Sequence, residues 1–95
     1  MLNHIVFFKF KAQHPEAAEK TRELLLGMAG RIPQLKFIEV GLDVIHSERS
    51  YDMALVTHFD SLEDLKAYQV NPIHVEVVNY INTVREAAVT VDYYS

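Results

Sequence analysis

The chain has 95 residues, of which 49% are hydrophobic and 23% charged, so we expect one folded domain over residues 1–95. A formal net charge of −4, without any run of Lys or Arg, excludes the basic surface by which proteins bind nucleic acids or anionic membranes. The absence of cysteine excludes disulfides, thiolate metal ligands and a catalytic thiol, so a core this small needs another source of stability, such as self-association.

The first segment, residues 2–11, is predicted to be a strand, because aromatic and β-branched residues fill it without helical spacing. Its apolar run is too short for a signal peptide, and no later stretch reaches the roughly 18 apolar residues of a membrane span. We therefore expect a cytoplasmic protein.

Pro15 opens a predicted helix, because proline is favoured in a first helical turn, and Gly30 and Pro33 mark its exit. Glu16 and Glu19 lie near the positive end of the helix dipole. The expected apolar stripe of this helix consists of Ala18, Thr21, Leu25, Met28 and Ile32.

The second half of the chain begins with two predicted strands, residues 36–45 and 51–59, joined by a polar turn as a hairpin. Ser61 and Asp64 have the spacing of a capping box, which predicts a short helix after the hairpin. Asn71-Pro72 should interrupt this helix, because Asn is a favoured cap and Pro a favoured first helical residue. A second helical piece is predicted from Pro72 to about Arg85, and a last strand over residues 88–94.

The predicted order, β-α-β-β-α-β, is the ferredoxin-like arrangement of the α+β class, with an antiparallel sheet whose helices cover one face. Side chains alternate between the two faces of a strand, yet apolar residues occupy both faces of the first strand. One face carries Leu2, His4, Val6, Phe8 and Phe10, and the other carries Ile5 and Phe7. A second copy of the sheet would cover the exposed face, which predicts a homodimeric α/β barrel. The alternative is a monomer whose apolar face closes over a ligand or its own loops.

Three blocks of sequence resemble the stress-responsive A/B barrel domain (Dabb) family, and with the order of elements the resemblance covers nearly the whole chain. The blocks are the opening residues 1–11, the central residues 51–68, and residues 72–78 (Pro-Ile-His-Val-Glu-Val-Val). The resemblance implies a dimeric α/β barrel. Its members include plant stress-associated proteins, a plant polyketide cyclase and bacterial proteins of unknown role.

The resemblance to the cyclase implies three catalytic candidates, His4, Tyr68 and His74, which match its pocket residues by position. In that enzyme the tyrosine and the second histidine act in acid–base chemistry. The family usually has His-Pro at the helix break, where this chain has Asn71-Pro72, and the cyclase places a further pocket histidine where this chain has Met53. We therefore expect a less polar pocket here.

Each catalytic candidate also has a structural interpretation. His4 shares a strand face with Val6 and Phe8, so it is either a neutral base in an apolar pocket or a core histidine bonded to a backbone carbonyl. His74 lies in the first turn of a helix, whose dipole favours the neutral ring, or it packs on Tyr68 to brace the helix break. Tyr68 is either a hydroxyl donor to a substrate carbonyl or an aromatic anchor under the Asn71-Pro72 turn.

We expect no cofactor. The expected ligand contacts are Val6, Phe8, Phe10, Met53 and Asn71, although Asn71 is most simply a helix cap. No two histidines have the i, i+2 or i, i+4 spacing that indicates zinc, so we expect no metal site. The three glycines fit neither a P-loop nor a dinucleotide motif, which argues against nucleotides.

Three functions follow as hypotheses. The first is a homodimeric, stress-associated binding protein for a small apolar or aromatic molecule, without further partners. The second is a cofactor-free, polyketide-cyclase-like enzyme that uses His and Tyr as acid and base. The third, a cofactor-independent monooxygenase, rests on a related group of folds. A cavity lined jointly by His4, Tyr68 and His74 would favour chemistry.

Overall fold

The N-terminal strand lies inside the sheet of the computed structural model, which describes all 95 residues. This strand, β1 (Leu2–Phe10), pairs antiparallel with two others, β3 (Met53–Phe59) and β4 (Arg85–Tyr94). The fourth strand, β2 (Phe37–Leu42), pairs antiparallel with β3, so the order across the sheet is β2-β3-β1-β4. Because β1 pairs with a strand on each side, its backbone is hydrogen-bonded along both edges.

Three helices complete the fold: α1 (Ala17–Leu26), α2 (Leu62–Val70) and α3 (Pro72–Val84). The chain thus has the predicted ferredoxin-like α+β architecture, with the second helix broken as expected. Both predicted caps form, since the Ser61 hydroxyl accepts a hydrogen bond from the Asp64 amide at 3.1 Å and Asn71 Oδ1 accepts one from the Ile73 amide at 2.9 Å. Asn71 itself is extended, so α2 and α3 meet at an angle instead of forming one rod.

Several element boundaries differ from the sequence prediction. The first helix begins at Ala17, because residues 12–16 form turns in which the Ala17 amide donates to the His14 carbonyl. Strand β2 ends at Leu42, since the Asp43 carboxylate accepts the His46 amide and turns the chain. Strand β4 begins directly after α3, at Arg85 instead of Ala88, with no loop between them.

The helices cover one face of the sheet, and the core lies between them. Every second residue of β3 points into this core: Met53, Leu55, Thr57 and Phe59. The predicted stripe of α1 also lies there, except that Ala17 is fully buried in place of Ala18. Met28 and Ile32 are buried although the helix has already ended, because the turns after Leu26 fold back onto the core.

The opposite face of the sheet, here called the open face, carries apolar side chains that no part of the chain covers. It includes Ile5 and Phe7 of β1, Phe37 of β2, and Val89, Val91 and Tyr93 of β4. His58 also lies on this face and stacks on the Phe37 ring with centroids 4.6 Å apart. It therefore lies on the uncovered side of an interior strand.

The longest helix, α3, has 13 residues, and no helix combines the length and hydropathy that a membrane span needs.

Candidate functional site

A cavity of about 320 Å³ lies between the sheet and the helices. Strand β1 contributes His4, Val6 and Phe8 to its wall, and the helix pair α2 and α3 contributes Tyr68 and His74. These are five of the eight residues that the sequence suggested for the site. A cavity of this size is within the range of small-molecule pockets.

The other three expected ligand contacts, Phe10, Met53 and Asn71, lie outside this cavity. Phe10 stacks on Phe8 but faces a separate depression near Lys11. Met53 is buried in the core, with 2% of its surface exposed. Asn71 uses its side chain for the cap of α3. Alternation along β1 indicated which of its residues share a face. The position of the cavity on that face is determined by the packing of the helices.

His4 is held by a carboxylate on the neighbouring strand. The two strands pair His4 with Asp92, which places both side chains on the same face, and His4 Nδ1 contacts Asp92 Oδ1. The imidazole donates its Nδ1 hydrogen to this oxygen, and its Nε2 atom makes no hydrogen bond within the protein. The expected alternative, a bond to a backbone carbonyl, is not what the structure shows. The ring is instead oriented by an ionisable side chain.

Tyr68 and His74 face each other across the helix break. Their ring centroids are 4.1 Å apart, and the Tyr68 ring also packs on Phe59 at 4.8 Å. Tyr68 is completely buried, yet its hydroxyl has no hydrogen-bond partner in the protein. An unsatisfied buried hydroxyl costs about 1–3 kcal/mol. Tyr68 lines the cavity, and its hydroxyl is a hydrogen-bond donor that no group of the protein uses.

The surroundings of these two rings keep both of them uncharged. Burial lowers the pKa of His74; a hydrogen bond from its ring to the Gln69 carbonyl opposes this change, and the nearby charge of His4 adds to it. This bond joins His74 Nδ1 to the Gln69 oxygen at 3.2 Å, so the Nε2 lone pair of the neutral ring stays available. Burial raises the pKa of Tyr68 well above its ordinary value, so the phenol keeps its proton. The pair therefore offers one proton acceptor and one hydrogen-bond donor.

Two residues of the site, Asp92 and Arg85, were missed from the sequence. Asp92 contacts His4. Asn82 and Arg85, exposed residues at the C-terminal end of α3, line the part of the cavity that is here called its rim. A signal for Asp92 was present, because it is the only carboxylate between residues 87 and 95 and interrupts an apolar strand. Its pairing with His4 depends on the register of β4 on β1, which the sequence alone does not determine.

Nowhere do three His, Cys, Asp or Glu side chains come together as a set that could hold a metal ion. The two other histidines with an acidic neighbour, His14 and His46, lie 3.5 Å from Glu16 and Asp43, each as a single pair.

Known proteins share both the sequence pattern and the fold of this chain. Residues 2–95 match the family described as the stress responsive A/B barrel domain, Dabb. A dimeric protein of unknown function and ferredoxin-like fold from Bacteroides fragilis is 29% identical, with a TM-score of 0.89 over 99% of this chain and 95% of its own. A dimeric ferredoxin-like protein of unknown function from Thermobifida fusca is 26% identical, with a TM-score of 0.88 over 99% of this chain and 90% of its own.

A hydroxynitrile lyase from Passiflora edulis has the same fold, with a TM-score of 0.85 over 97% of this chain and 90% of its own, at 20% identity. A comparison with curated proteins gives no match. Because the family pattern covers 94 of the 95 residues and the same architecture recurs in these structures, the chain belongs to the Dabb family.

Proposed function

We propose that this protein is a homodimer that binds a small apolar or aromatic carbonyl compound in its cavity and transfers protons on it without a cofactor. The observation that carries the proposal is that His4, Tyr68 and His74 line one cavity, whose other walls are mostly apolar. A binding protein would need only the apolar walls. The available base and the unused phenol hydroxyl favour chemistry over binding alone.

Each polar side chain has a separate role in the proposed reaction. His74 Nε2 takes a proton from the carbon next to the substrate carbonyl, and the electron pair of the broken C–H bond moves to the carbonyl oxygen to give an enolate. The Tyr68 hydroxyl donates a hydrogen bond to that oxygen, where negative charge develops. The imidazolium of His74 then returns a proton to the carbon, and when it first exchanges with water the carbon receives a solvent hydrogen. His4, oriented by Asp92, positions the substrate.

Support for a dimer comes from the open face and from the relatives. Phe7, Val89 and Tyr93 are each nearly half exposed there, and Val91 is 63% exposed, which makes a continuous apolar surface uncommon on monomers. The Bacteroides fragilis and Thermobifida fusca proteins are both described as dimeric. A second copy of the same surface would cover this face with two-fold symmetry.

Hydrogen exchange on a simple aryl ketone tests the proton transfer. Phenylacetone carries benzylic protons beside its carbonyl, and their replacement by deuterium in D₂O is followed by ¹H NMR. We expect the protein to accelerate this exchange and His74→Gln to reduce the acceleration on the order of 10²-fold or more, because it removes the base. Tyr68→Phe should reduce it by about tenfold, because one hydrogen bond to the enolate is lost.

His46→Asn is the matched control, because His46 is an exposed loop histidine whose φ of 57° asparagine tolerates, and it should exchange at the wild-type rate. If phenylacetone binds but wild-type protein and His74→Gln exchange it equally slowly, the cavity serves binding only and the proposed chemistry is wrong.

A further inference from the structure

The rim of the cavity differs in chemistry from its interior. The walls between the histidines and the rim are apolar, with Val6, Phe8 and Ile81 among them. Arg85 is the only Lys or Arg side chain that lines the cavity, and no Asp or Glu lines it. A ligand that fills this space therefore meets the rings of His4, Tyr68 and His74 at one end and a guanidinium at the other.

A bulge in the strand pairing places Arg85 on this face. Strand β4 pairs regularly with β1 up to Lys9, which pairs with Ala87, and the register then shifts so that Phe10 pairs with Arg85. Without the shift, Phe10 would pair with Glu86, because antiparallel partners follow one another residue by residue. The extra residue thus gives Arg85, and not Glu86, the position opposite Phe10. The bulge substitutes a cation for an anion at the rim.

The guanidinium of Arg85 is oriented but not neutralised. Its Nε donates a hydrogen bond to Asn82 Oδ1 at 2.9 Å, and Asn82 also lines the cavity. Arg85 forms no ion pair with any acidic side chain, and its two terminal nitrogens make no other hydrogen bond in the protein. Those two nitrogens have the forked geometry that binds a carboxylate through two parallel hydrogen bonds.

Along β1 the cation and the histidine pair are well separated. His4 and the partner of Arg85, Phe10, are six residues apart on one strand, which is roughly 20 Å of backbone at about 3.3 Å per residue. A span of this length suits an elongated molecule better than a single small ring.

We propose that the natural ligand is an elongated amphipathic anion, an aryl or alkyl compound whose terminal carboxylate binds Arg85 while its apolar part lies along Val6 and Phe8. This inference rests on the proposed function, which gives the ligand its orientation with the carbonyl group near His74. Arg85 is accordingly the residue that determines specificity for a charged substrate.

A matched pair of probes tests the inference by binding alone. 4-Phenylbutanoate and its neutral amide, 4-phenylbutanamide, have nearly the same shape and differ by one negative charge. Isothermal titration should show the carboxylate bound about tenfold or more tightly than the amide, as expected for a charge-assisted hydrogen-bonded pair. Arg85→Gln should remove this preference, mainly by weakening the binding of the carboxylate.

Arg22→Gln is the control, since Arg22 is an exposed arginine of α1 that does not line the cavity, and it should keep the preference. Equal binding of the two probes by the wild-type protein, or no binding of either, overturns the inference. So does an Arg85→Gln variant that loses both probes equally, because Arg85 would then only support the end of α3.

The two proposals fail separately. A preference for the carboxylate that depends on Arg85, without any acceleration of phenylacetone exchange, leaves the anion site standing and removes the proton transfer. Accelerated exchange with no preference between the two probes leaves the proton transfer standing and removes the anion site.

Discussion

At the scale of single residues, the site depends on how three rings are kept in place. Asp92 orients His4, the Gln69 carbonyl holds His74, and the core surrounds Tyr68. Sequence alone indicated His4, Tyr68 and His74 through the family resemblance, but not the groups that orient them. Those partners come from the neighbouring strand and from the end of α2, and their contacts depend on register and packing angle.

Protonation of His74 should lower the free energy of unfolding in acid. Burial lowers its pKa in the folded protein below 6.5, the usual value that applies to the unfolded chain. As the pH falls from 6.5 toward the folded pKa, the unfolded chain binds the proton first, so unfolding becomes more favourable. The stability that the neutral ring contributes is therefore complete above pH 6.5 and is lost below it.

Urea unfolding at one protein concentration over a pH series measures this effect. The stability difference between wild type and His74→Gln should decrease as the pH falls below 6.5. Removing the exposed histidine in His46→Asn should leave the pH profile parallel to that of the wild type. A wild-type profile parallel to that of His74→Gln would contradict the prediction.

At the scale of elements, the break between α2 and α3 is the feature that brings Tyr68 to His74. The two rings are six residues apart, and a continuous helix would separate them along its axis by about 9 Å at 1.5 Å per residue. The cap at Asn71 and the proline after it start a new helix in a new direction, and the ring centroids approach to 4.1 Å.

Removing the cap should destabilise the protein by about 1 kcal/mol, because Asn71→Ala leaves the Ile73 amide without its side-chain acceptor. Chemical denaturation measures the change. Asn71→Asp retains an acceptor oxygen and should restore most of the stability. Asn79→Ala replaces the same residue type at an exposed position within α3 and should be neutral or slightly stabilising. Equal losses in Asn71→Ala and Asn79→Ala would show that the cap contributes nothing.

Local signals predicted the existence and order of the elements but not all of their ends. Ser61 and Asn71 marked helix starts correctly because caps are short-range hydrogen bonds. The start of β4 was placed three residues late, at Ala88, because Arg85 and Glu86 are charged and carry no strand signal. Their strand conformation comes from pairing with the end of β1, a contact between distant parts of the chain.

At the scale of the whole molecule, the two faces of the sheet have different roles. One face packs on the helices and contains the cavity, and the open face presents uncovered apolar side chains. Alternation of apolar residues on both faces of β1 predicted this division, because strand periodicity is a local property.

Charges on the open face should dissociate the proposed dimer. A double variant, Val89→Lys with Val91→Lys, places two cations among the apolar side chains of that face, where a second copy would have to desolvate them. Sedimentation equilibrium at micromolar concentration should give twice the chain mass of 10.9 kDa for the wild-type protein and 10.9 kDa for the variant.

The matched control is Val70→Lys with Val75→Lys, which makes the same change of charge at exposed positions on the helices and should remain dimeric. A wild-type protein that sediments at 10.9 kDa would rule out the dimer.

The central strand β1 leaves little room for neutral sequence drift. Its even-numbered residues, His4, Val6 and Phe8, form a wall of the cavity, while Ile5 and Phe7 belong to the open face. In an edge strand with one solvent-exposed face, every second residue can change freely. In β1, successive residues are constrained alternately by the cavity and by the open face. Divergence within this family should therefore accumulate in the turns and on the outer helix surfaces before it reaches the first eight residues.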